Sequence, residues 1–372
     1  MILNHRIILH VDLDCFFAAI EARDNESYRH RPLIIGADPR GGSGRGVVST
    51  CSYEARAYGL HSGMSISRAY KKCPHGIYIQ PTFKKYKKAS RQVMAIIESE
   101  GDSFQQASID EAYLDATESC EGSMSNAMVM ARRIKDEVLK RVGITCSIGI
   151  APTKVLAKIC CNLHKPNGIT ILKQDEIKAG IGHLDIEEIP GIGKKTSLKF
   201  RDKGINTIGD IISMPKARLI YLFGKHGKYL HDLARGVNHA PVVSHRTRKS
   251  ISKERTFPSD VEDRSIAWEK LVDLNEKLHA DMARKNIQYK TISLKVRFEG
   301  FDTYTRASSL SHVARNPRLA LQVMDDLFKE FRQDERKIRL VGLRFSNLEV
   351  NQSHRQTSLW EFCTAQVEKK RW

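Results

Sequence analysis

The sequence lacks long hydrophobic runs, and its cysteines form no paired motif. The apolar stretch Ile7–Val11 is followed at once by Asp12 and Asp14, which excludes a membrane span or the hydrophobic region of a signal peptide. The 8 cysteines include no two C-x-x-C pairs, so a structural zinc site is not expected. Scattered cysteines in a long chain are typical of a reducing compartment. We therefore expect a soluble cytoplasmic protein that does not bind membranes.

Acidic residues are also scarce relative to basic ones. The 372 residues include 43 Asp and Glu against 61 Lys and Arg, which leaves a formal net charge of +18. Such a surplus favours polyanion partners, because neutralising phosphates releases their condensed counterions. The alternative is a soluble protein that merely happens to be basic. The length allows about two to four domains.

The order of the predicted elements indicates an α+β protein with several domains. Apolar strand-like segments alternate with helical periodicity in the first part of the chain, and helices are predicted over 66–72, 154–163 and 317–332. Residues 174–235 are predicted as short helices separated by glycines, and residues 236–245 as a linker. Beyond the linker the predicted order is βαββαβ, which is the ferredoxin-like or split βαβ arrangement.

Two clusters of acidic residues interrupt apolar predicted strands. Asp12 ends the first strand, and Asp110 and Glu111 lie in the middle of a predicted hairpin. Buried carboxylates are costly unless they are paired or coordinate a cation, and no basic run adjoins either cluster. A pair of divalent cations would remove that cost, since hard cations take carboxylate oxygens and two-metal sites catalyse in-line phosphoryl displacement. The alternative is that these acids are solvated residues at strand ends.

The two adjacent acids of the hairpin pose a geometric difficulty. Neighbouring side chains of a regular strand point to opposite faces, so Asp110 and Glu111 cannot both face one metal site from a regular strand. We therefore predict a local irregularity at these two residues.

A second motif indicates contact with a nucleic-acid backbone. The segment Ile189–Lys195 (IPGIGKK) lies between predicted helices. Gly191 and Gly193 let the backbone approach a phosphate, and the amides at the start of the next helix can donate to it. Lys194 and Lys195 add charge, which favours this helix-hairpin-helix interpretation over a plain Pro-Gly turn.

Four further segments resemble the motifs of Y-family DNA polymerases, and most closely those of the DinB-type branch. They are His10–Glu21 (HVDLDCFFAAIE), Ser52–Gly63 (SYEARAYGLHSG), Ser108–Leu114 (SIDEAYL) and Ser147–Gly168 (SIGIAPTKVLAKICCNLHKPNG). With the Pro190–Gly193 turn they follow the family order, so the resemblance extends over nearly the whole chain. Spacing alone indicates only metal-dependent phosphoryl transfer.

The resemblance implies a right-hand polymerase with palm, small fingers, a helical thumb and a DNA-binding little finger. Its domains would be a palm over 1–15 and 79–170, fingers over 16–78, a thumb with the helix-hairpin-helix over 171–235, the linker over 236–245, the little finger over 246–347 and a tail over 348–372. The βαββαβ unit would be the little finger. Four cations of its first strand and the approach to it would contact DNA: Arg246, Arg248, Lys249 and Lys253.

The resemblance also implies roles at the active site. Asp12, Asp110 and Glu111 would bind two Mg²⁺ ions, or Mn²⁺, together with the Leu13 carbonyl, and Asp14 would have a supporting role. Phe17 would be a steric gate against a ribose 2′-hydroxyl; the alternative is a core residue beside Phe16. The triphosphate would be held by four further residues: Thr50, Tyr53, Arg56 and Lys158.

The implied activity is template-directed DNA synthesis of low fidelity with lesion bypass and without proofreading. The partners would be primer–template DNA and a deoxynucleoside triphosphate (dNTP), and we expect a monomer. Near the C-terminus, Gln356, Leu359 and Phe362 resemble the anchors of a sliding-clamp peptide, although Cys363 replaces the usual second aromatic residue. An incidental tail is the alternative. Competing functions for the chain are a DNA-binding scaffold, a nucleotide cyclase with a similar palm, or a nuclease.

Overall fold

The computed structural model describes residues 6–237, 240–244 and 247–350. The chain divides into two units, Met1–Arg246 and Thr247–Trp372. Each unit has hydrophobic cores of its own. None of the described helices is long and apolar enough to cross a lipid bilayer.

The first unit alternates strands and helices before it becomes wholly helical. Its strands are β1 (Ile8–Leu13), β2 (Leu33–Gly36), β3 (Val48–Cys51), β4 (Ile77–Ile79), β5 (Ser103–Gln106), β6 (Glu111–Asp115), β7 (Cys146–Ala151) and β8 (Ile169–Ile171). Its helices are α1 (Phe16–Asp24), α2 (Tyr53–Arg56), α3 (Ile66–Lys72), α4 (Phe83–Glu98), α5 (Met124–Val142), α6 (Lys154–Leu163), α7 (Ile177–Ile181), α8 (Lys194–Arg201), α9 (Ile208–Ser213) and α10 (Lys216–Ala234).

The described strands of this unit form two sheets. The larger has the order β5-β6-β1-β7-β8, so β1 is its central strand, and the smaller has the order β3-β2-β4. The strands β6 and β7 both pair with β1 in antiparallel register. The smaller sheet has a separate core with α2 and α3 that includes Ile34, Val48 and Ile66.

Side chains of β1 alternate between the two faces of the larger sheet. Leu9 and Val11 belong to the core that α4 and α5 cover, whereas Ile8 belongs to a second core that contains α6. By the same alternation His10 and Asp12 lie on the face of Ile8. The central strand therefore presents its polar side chains toward the side of the sheet on which α6 packs.

The turn from β1 into α1 is sharp. Cys15 occupies the left-handed region of the backbone, with φ 38° and ψ 45°. This conformation costs a non-glycine residue about 1–2 kcal/mol. It starts α1 directly after the strand, so Asp12 and Phe17 lie close together.

The helical part of the first unit shares its core with α6. Ile189, Ile192, Phe200 and Leu230 are among its buried residues. The helix α10 is interrupted at Gly224, whose φ of 58° favours glycine. The predicted linker follows. Its described residues 240–244 belong to the first unit and contact earlier parts of it: Lys154 Nζ donates to the Pro241 carbonyl at 2.7 Å, and the Val243 amide donates to Gln105 Oε1 at 3.2 Å.

The second unit has the predicted βαββαβ order. Its elements are β9 (Ser250–Val261), α11 (Arg264–Arg284), β10 (Ile287–Phe298), β11 (Thr303–Ala314), α12 (Pro317–Arg332) and β12 (Ile338–Val350). The sheet order is β11-β10-β12-β9, and every neighbouring pair is antiparallel. Each helix thus joins two parallel strands that have one strand between them, which is the split βαβ arrangement.

The observed elements follow the predicted order, and the differences lie at element ends and in very short strands. The helices α3, α6 and α12 have the predicted bounds. The strands β4 and β8, of three residues each, were not predicted, because so short a run shows no alternation. The last strand continues to Val350, three residues beyond the predicted end of the little finger at 347.

Candidate active site

The three predicted metal-binding carboxylates come together where β1 meets the β5–β6 hairpin. Asp12 on β1 is the register partner of Glu111 on β6, and cross-strand partners face the same side of a sheet. The Leu13 amide donates to the Asp110 carbonyl at 3.0 Å. Asp110 therefore lies beside the same stretch of β1.

The predicted irregularity is present in the hairpin. Asp110 lies in the bend before β6, and Glu111 is the first residue of the strand. The Ser108 hydroxyl accepts hydrogen bonds from the amides of Asp110 and Glu111 at 3.1 and 2.9 Å and donates to Asp110 Oδ1 at 2.5 Å. This turn frees the two acids from the alternation of a regular strand.

Each carboxylate has a partner from the protein. Lys165 Nζ is 2.7 Å from Asp12 Oδ2, and Lys158 Nζ is 2.6 and 2.5 Å from the two oxygens of Glu111. The imidazole of His10, 3.7 Å away, and the Lys158 ammonium lower the pKa of Glu111. Burial raises the pKa of Asp12 to about 6 despite Lys165. The ammonium therefore does not fully compensate the buried Asp12 charge.

The oxygen donors fit hard divalent cations. Within the ranges 6–237, 240–244 and 247–350, no group of three or more His, Cys, Asp or Glu side chains is arranged as a ready metal site. Asp12, Asp110 and Glu111 nevertheless provide carboxylate oxygens on adjacent backbone segments. An incompletely compensated Asp12 favours additional positive charge there. Such ligands suit Mg²⁺ and Mn²⁺.

A solvent-open cleft of about 590 Å³ adjoins Asp12 and Asp110. Its lining includes five residues with candidate nucleotide contacts: Phe17, Thr50, Tyr53, Arg56 and Lys165. The buried Tyr53 hydroxyl has no hydrogen-bond partner among the described residues. An unsatisfied buried hydroxyl is costly, so a bound acceptor would stabilise this site. The Arg56 guanidinium lies 4.6 Å from the centre of the Tyr53 ring.

Phe17 and its neighbour Phe16 occupy different environments. Phe16 is buried in the core, whereas Phe17 is partly exposed and lines the cleft. The Phe17 ring stacks on Tyr86 at 4.3 Å between centroids. The Tyr86 hydroxyl donates to Glu21 Oε1 at 2.5 Å, and Lys85 also donates to Glu21. This packing holds the Phe17 ring at the edge of the cleft.

Comparison with known proteins identifies the family. The impB/mucB/samB family matches residues 11–162, its C-terminal domain matches 248–359, and the thumb domain of DNA polymerase-iota matches 187–238. DNA polymerase IV of Methanoculleus marisnigri is 42% identical over 362 residues, which are 97% of this chain and 99% of the relative. The chain belongs to the Y family of DNA polymerases. It resembles the DinB type, and it is a DNA-directed DNA polymerase of the low-fidelity, translesion kind.

Solved structures agree with this membership of the Y family. The Y-family DNA polymerase chimera Dbh-Dpo4(243-245)-Dbh superposes with a TM-score of 0.84 at 32% identity, over 93% of this chain and 100% of that one. The insertion ternary complex of Dbh DNA polymerase matches with a TM-score of 0.64 at 31% identity, over the same shares of the two chains. The polymerase therefore has the α+β multidomain fold that the resemblance implied.

The lysine in the cleft wall is not the one that the sequence analysis named for the triphosphate. Lys158 bonds Glu111 and does not line the cleft, whereas Lys165 does. Lys158 belongs to α6, which faces the sheet, and Lys165 follows the end of that helix. The motif that ends in Lys165-Pro166-Asn167-Gly168 contains the signal for Lys165, but spacing does not reveal which lysine reaches the cleft.

The candidate DNA-contacting residues of the polymerase also fall into different environments. Gly191, Gly193, Lys194 and Lys195 are exposed where α8 begins. Gly191 has a φ of 98°, and a Cβ atom at either glycine would meet no other atom within 4 Å. This surface is open to the close approach of a backbone.

In the second unit the candidate DNA-contacting cations before β9 are exposed, whereas the candidate within β9 is paired with an acidic residue. Arg248 and Lys249 are exposed. Lys253 instead bonds Asp281 of α11 at 2.8 Å, because it shares the helix-facing side of β9 with the buried Ile251. The structure thus does not support Lys253 as a free DNA contact. Arg246, Gln356, Leu359 and Phe362 lie outside the described residues.

Proposed function

We propose that Asp12, Asp110 and Glu111 hold two divalent cations and that the adjacent cleft binds the incoming dNTP. The observation that carries this proposal is the position of the carboxylates beside a cleft with Tyr53, Arg56 and Lys165 in its wall. When bound, the two cations activate the primer 3′-hydroxyl and neutralise charge on the triphosphate. The Leu13 carbonyl is a further candidate ligand.

The residues of the cleft have separate roles in this proposal. Arg56 donates two parallel hydrogen bonds to phosphate oxygens, and Lys165 contributes a point charge. Thr50 and the Tyr53 hydroxyl donate to the same phosphates, which would give this hydroxyl the partner that it lacks in the described part of the chain. The Phe17 ring occupies the space of a ribose 2′-hydroxyl and so favours deoxynucleotides.

The helix-hairpin-helix and the second unit provide the proposed DNA contacts. The exposed glycines of 191–193 admit a duplex backbone, and Lys194 and Lys195 neutralise its phosphates. Arg248 and Lys249 add charge next to β9. A cleft on the sheet of the second unit is lined by hydroxyls, among them Ser252 and Ser293, by Arg344, and by the ion pair of Lys295 with Glu254. The hydroxyls and Arg344 suit phosphate contacts that do not read base sequence.

Primer extension tests this function. The purified protein is incubated with a primer–template, four dNTPs and Mg²⁺, beside a reaction with a chelator of divalent cations. We expect template-dependent extension that stops when the cations are removed. Shortening of the DNA would indicate a nuclease instead. Salt-sensitive DNA binding without extension would indicate a scaffold, and nucleotide cyclisation without DNA would indicate a cyclase.

The C-terminal peptide remains a separate hypothesis that rests on the sequence. Gln356, Leu359 and Phe362 are proposed to anchor a sliding clamp. Deleting residues 351–372 is then expected to abolish the gain in processivity that a clamp gives, while clamp-free extension is unchanged. Equal stimulation of the deleted and full chains by the clamp would contradict the hypothesis. The monomeric state and the cytoplasmic location remain predictions.

A further inference from the structure

Asp14 forms a buried hydrogen-bond centre that the proposed chemistry does not use. Its side chain is 2% exposed. One carboxylate oxygen accepts from the Thr145 hydroxyl at 2.8 Å and from the Asn167 amide at 2.8 Å, and the other accepts from the Ser147 hydroxyl at 2.7 Å. The carboxylate therefore connects the end of β1 with the region of β7 and with the turn after α6.

The turn at residues 165–168 is held at several points around this carboxylate. The Ser147 hydroxyl also accepts from the Gly168 amide at 3.4 Å. Lys135 donates to the Asn167 carbonyl. A Cβ atom on Gly168 would lie 2.0 Å from the His164 carbonyl oxygen, so the turn packs directly on the end of α6. The Asp14 bonds thus contribute to a tightly placed backbone segment.

This turn carries Lys165 to the cleft. Lys165 lies two residues before Asn167, whose amide donates to the Asp14 carboxylate. The Lys165 ammonium is 2.7 Å from Asp12 Oδ2. A lysine side chain has four flexible carbons and loses rotamer freedom when its ammonium is fixed. A fixed backbone at the turn limits the positions that this ammonium samples.

We propose that Asp14 is a positioning residue for nucleotide binding, because its buried carboxylate fixes the 165–168 turn and thereby places the Lys165 ammonium in the cleft beside Asp12. The proposal rests on the assignment of this cleft to the triphosphate. Asp14 acts on the nucleotide through Lys165 and touches neither the triphosphate nor the cations.

A double-mutant cycle tests the connection. The variants are Asp14→Asn, Lys165→Ala and the double variant, each bound to a primer–template whose primer ends in a dideoxynucleotide. The measured quantity is the Kd of the next correct dNTP in Mg²⁺. We expect Lys165→Ala to weaken binding about tenfold, the effect of losing one hydrogen bond to a charged group. Asp14→Asn is expected to weaken it about three- to tenfold, and the double variant to be no weaker than Lys165→Ala alone.

The double-mutant cycle tests the role of Asp14 and the assignment of the cleft to the triphosphate by different outcomes. An unchanged Kd in Lys165→Ala would overturn the triphosphate site itself. A weakened Kd in Lys165→Ala with an unchanged Kd in Asp14→Asn would overturn only the role of Asp14. Additive effects in the double variant would do the same, since they would show that Asp14 acts independently of Lys165.

Two further variants distinguish a specific effect on the 165–168 turn from a general loss of structure. Ser147→Ala removes one of the three hydrogen bonds to Asp14 and is expected to weaken dNTP binding in the same direction but less. It replaces Asp14→Asn in the cycle if that variant does not fold. Asp102→Asn is the matched control, because Asp102 also accepts loop amides, those of Glu118 and Ser119 at 2.7 and 2.9 Å, away from the cleft lining. An equal effect of the control would overturn the proposal.

Discussion

Primer extension is expected to fall by about a thousandfold or more when Asp110 and Glu111 are both replaced by alanine. Metal ions in such sites contribute several kcal/mol of charge stabilisation, and about 4 kcal/mol corresponds to a thousandfold in rate. The two acids are adjacent in the hairpin that faces Asp12, so their removal leaves one carboxylate of the three. Single-turnover nucleotide addition at saturating DNA and dNTP measures the loss.

Matched variants distinguish the effect of losing the carboxylate charges from the effect of disturbing the structure. Asp110→Asn with Glu111→Gln keeps the size of both side chains and removes their charge, so it is expected to lose as much activity as the alanine pair. Asp102→Ala removes an exposed carboxylate outside the cleft and is expected to keep activity. Salt-dependent binding of primer–template should be similar in all variants. Extension at the parent rate by the Asn/Gln variant would contradict a metal site at these residues.

The ratio of deoxynucleotide to ribonucleotide insertion is expected to fall about 10- to 100-fold in Phe17→Ala. The cause is the removal of a steric clash worth about 1–3 kcal/mol against the ribose 2′-hydroxyl. The Tyr86 ring stacks on the Phe17 ring with 4.3 Å between their centroids, so the Phe17 ring has little room to move away from a larger sugar. The measurement is kcat/KM for one dNTP and for the matching ribonucleotide, on the same template base.

Phe83→Ala is the control for this change in sugar selectivity. Phe83 contacts the Phe17 ring edge-on at 5.8 Å and is half exposed, but it does not line the cleft. Its removal is expected to change the sugar ratio much less than Phe17→Ala. An unchanged ratio in Phe17→Ala would favour the alternative that Phe17 only packs on the helix face.

The sequence predicts those parts of the site that depend on alternation and on turn chemistry. The position of Asp12 is predicted because an apolar strand ends in acidic residues. The irregularity of the hairpin is predicted because two adjacent acids must face the same side. The Phe17 position follows from the resemblance, and the structure adds that Phe16, not Phe17, enters the core. The family and its fold are confirmed by the comparisons.

Long-range placement of side chains is what the sequence does not predict. Lys158 and Lys165 are both basic residues near one helix, but the first faces the sheet and the second follows the helix end. Lys253 is predicted as a DNA contact from local charge alone, and its partner Asp281 lies in the next helix. Such pairings depend on how elements pack, which residue type and spacing do not specify.

The left-handed turn at Cys15 has a consequence for how the enzyme can change. Only four residues separate Asp12 from Phe17, and the bend between them is held in a conformation that few residue types adopt easily. The proposed metal ligand Asp12 and the proposed steric gate Phe17 are therefore joined by one short segment of restricted backbone. A substitution that shifts this segment would displace both side chains together, so under the proposed roles sugar selectivity and turnover would change together.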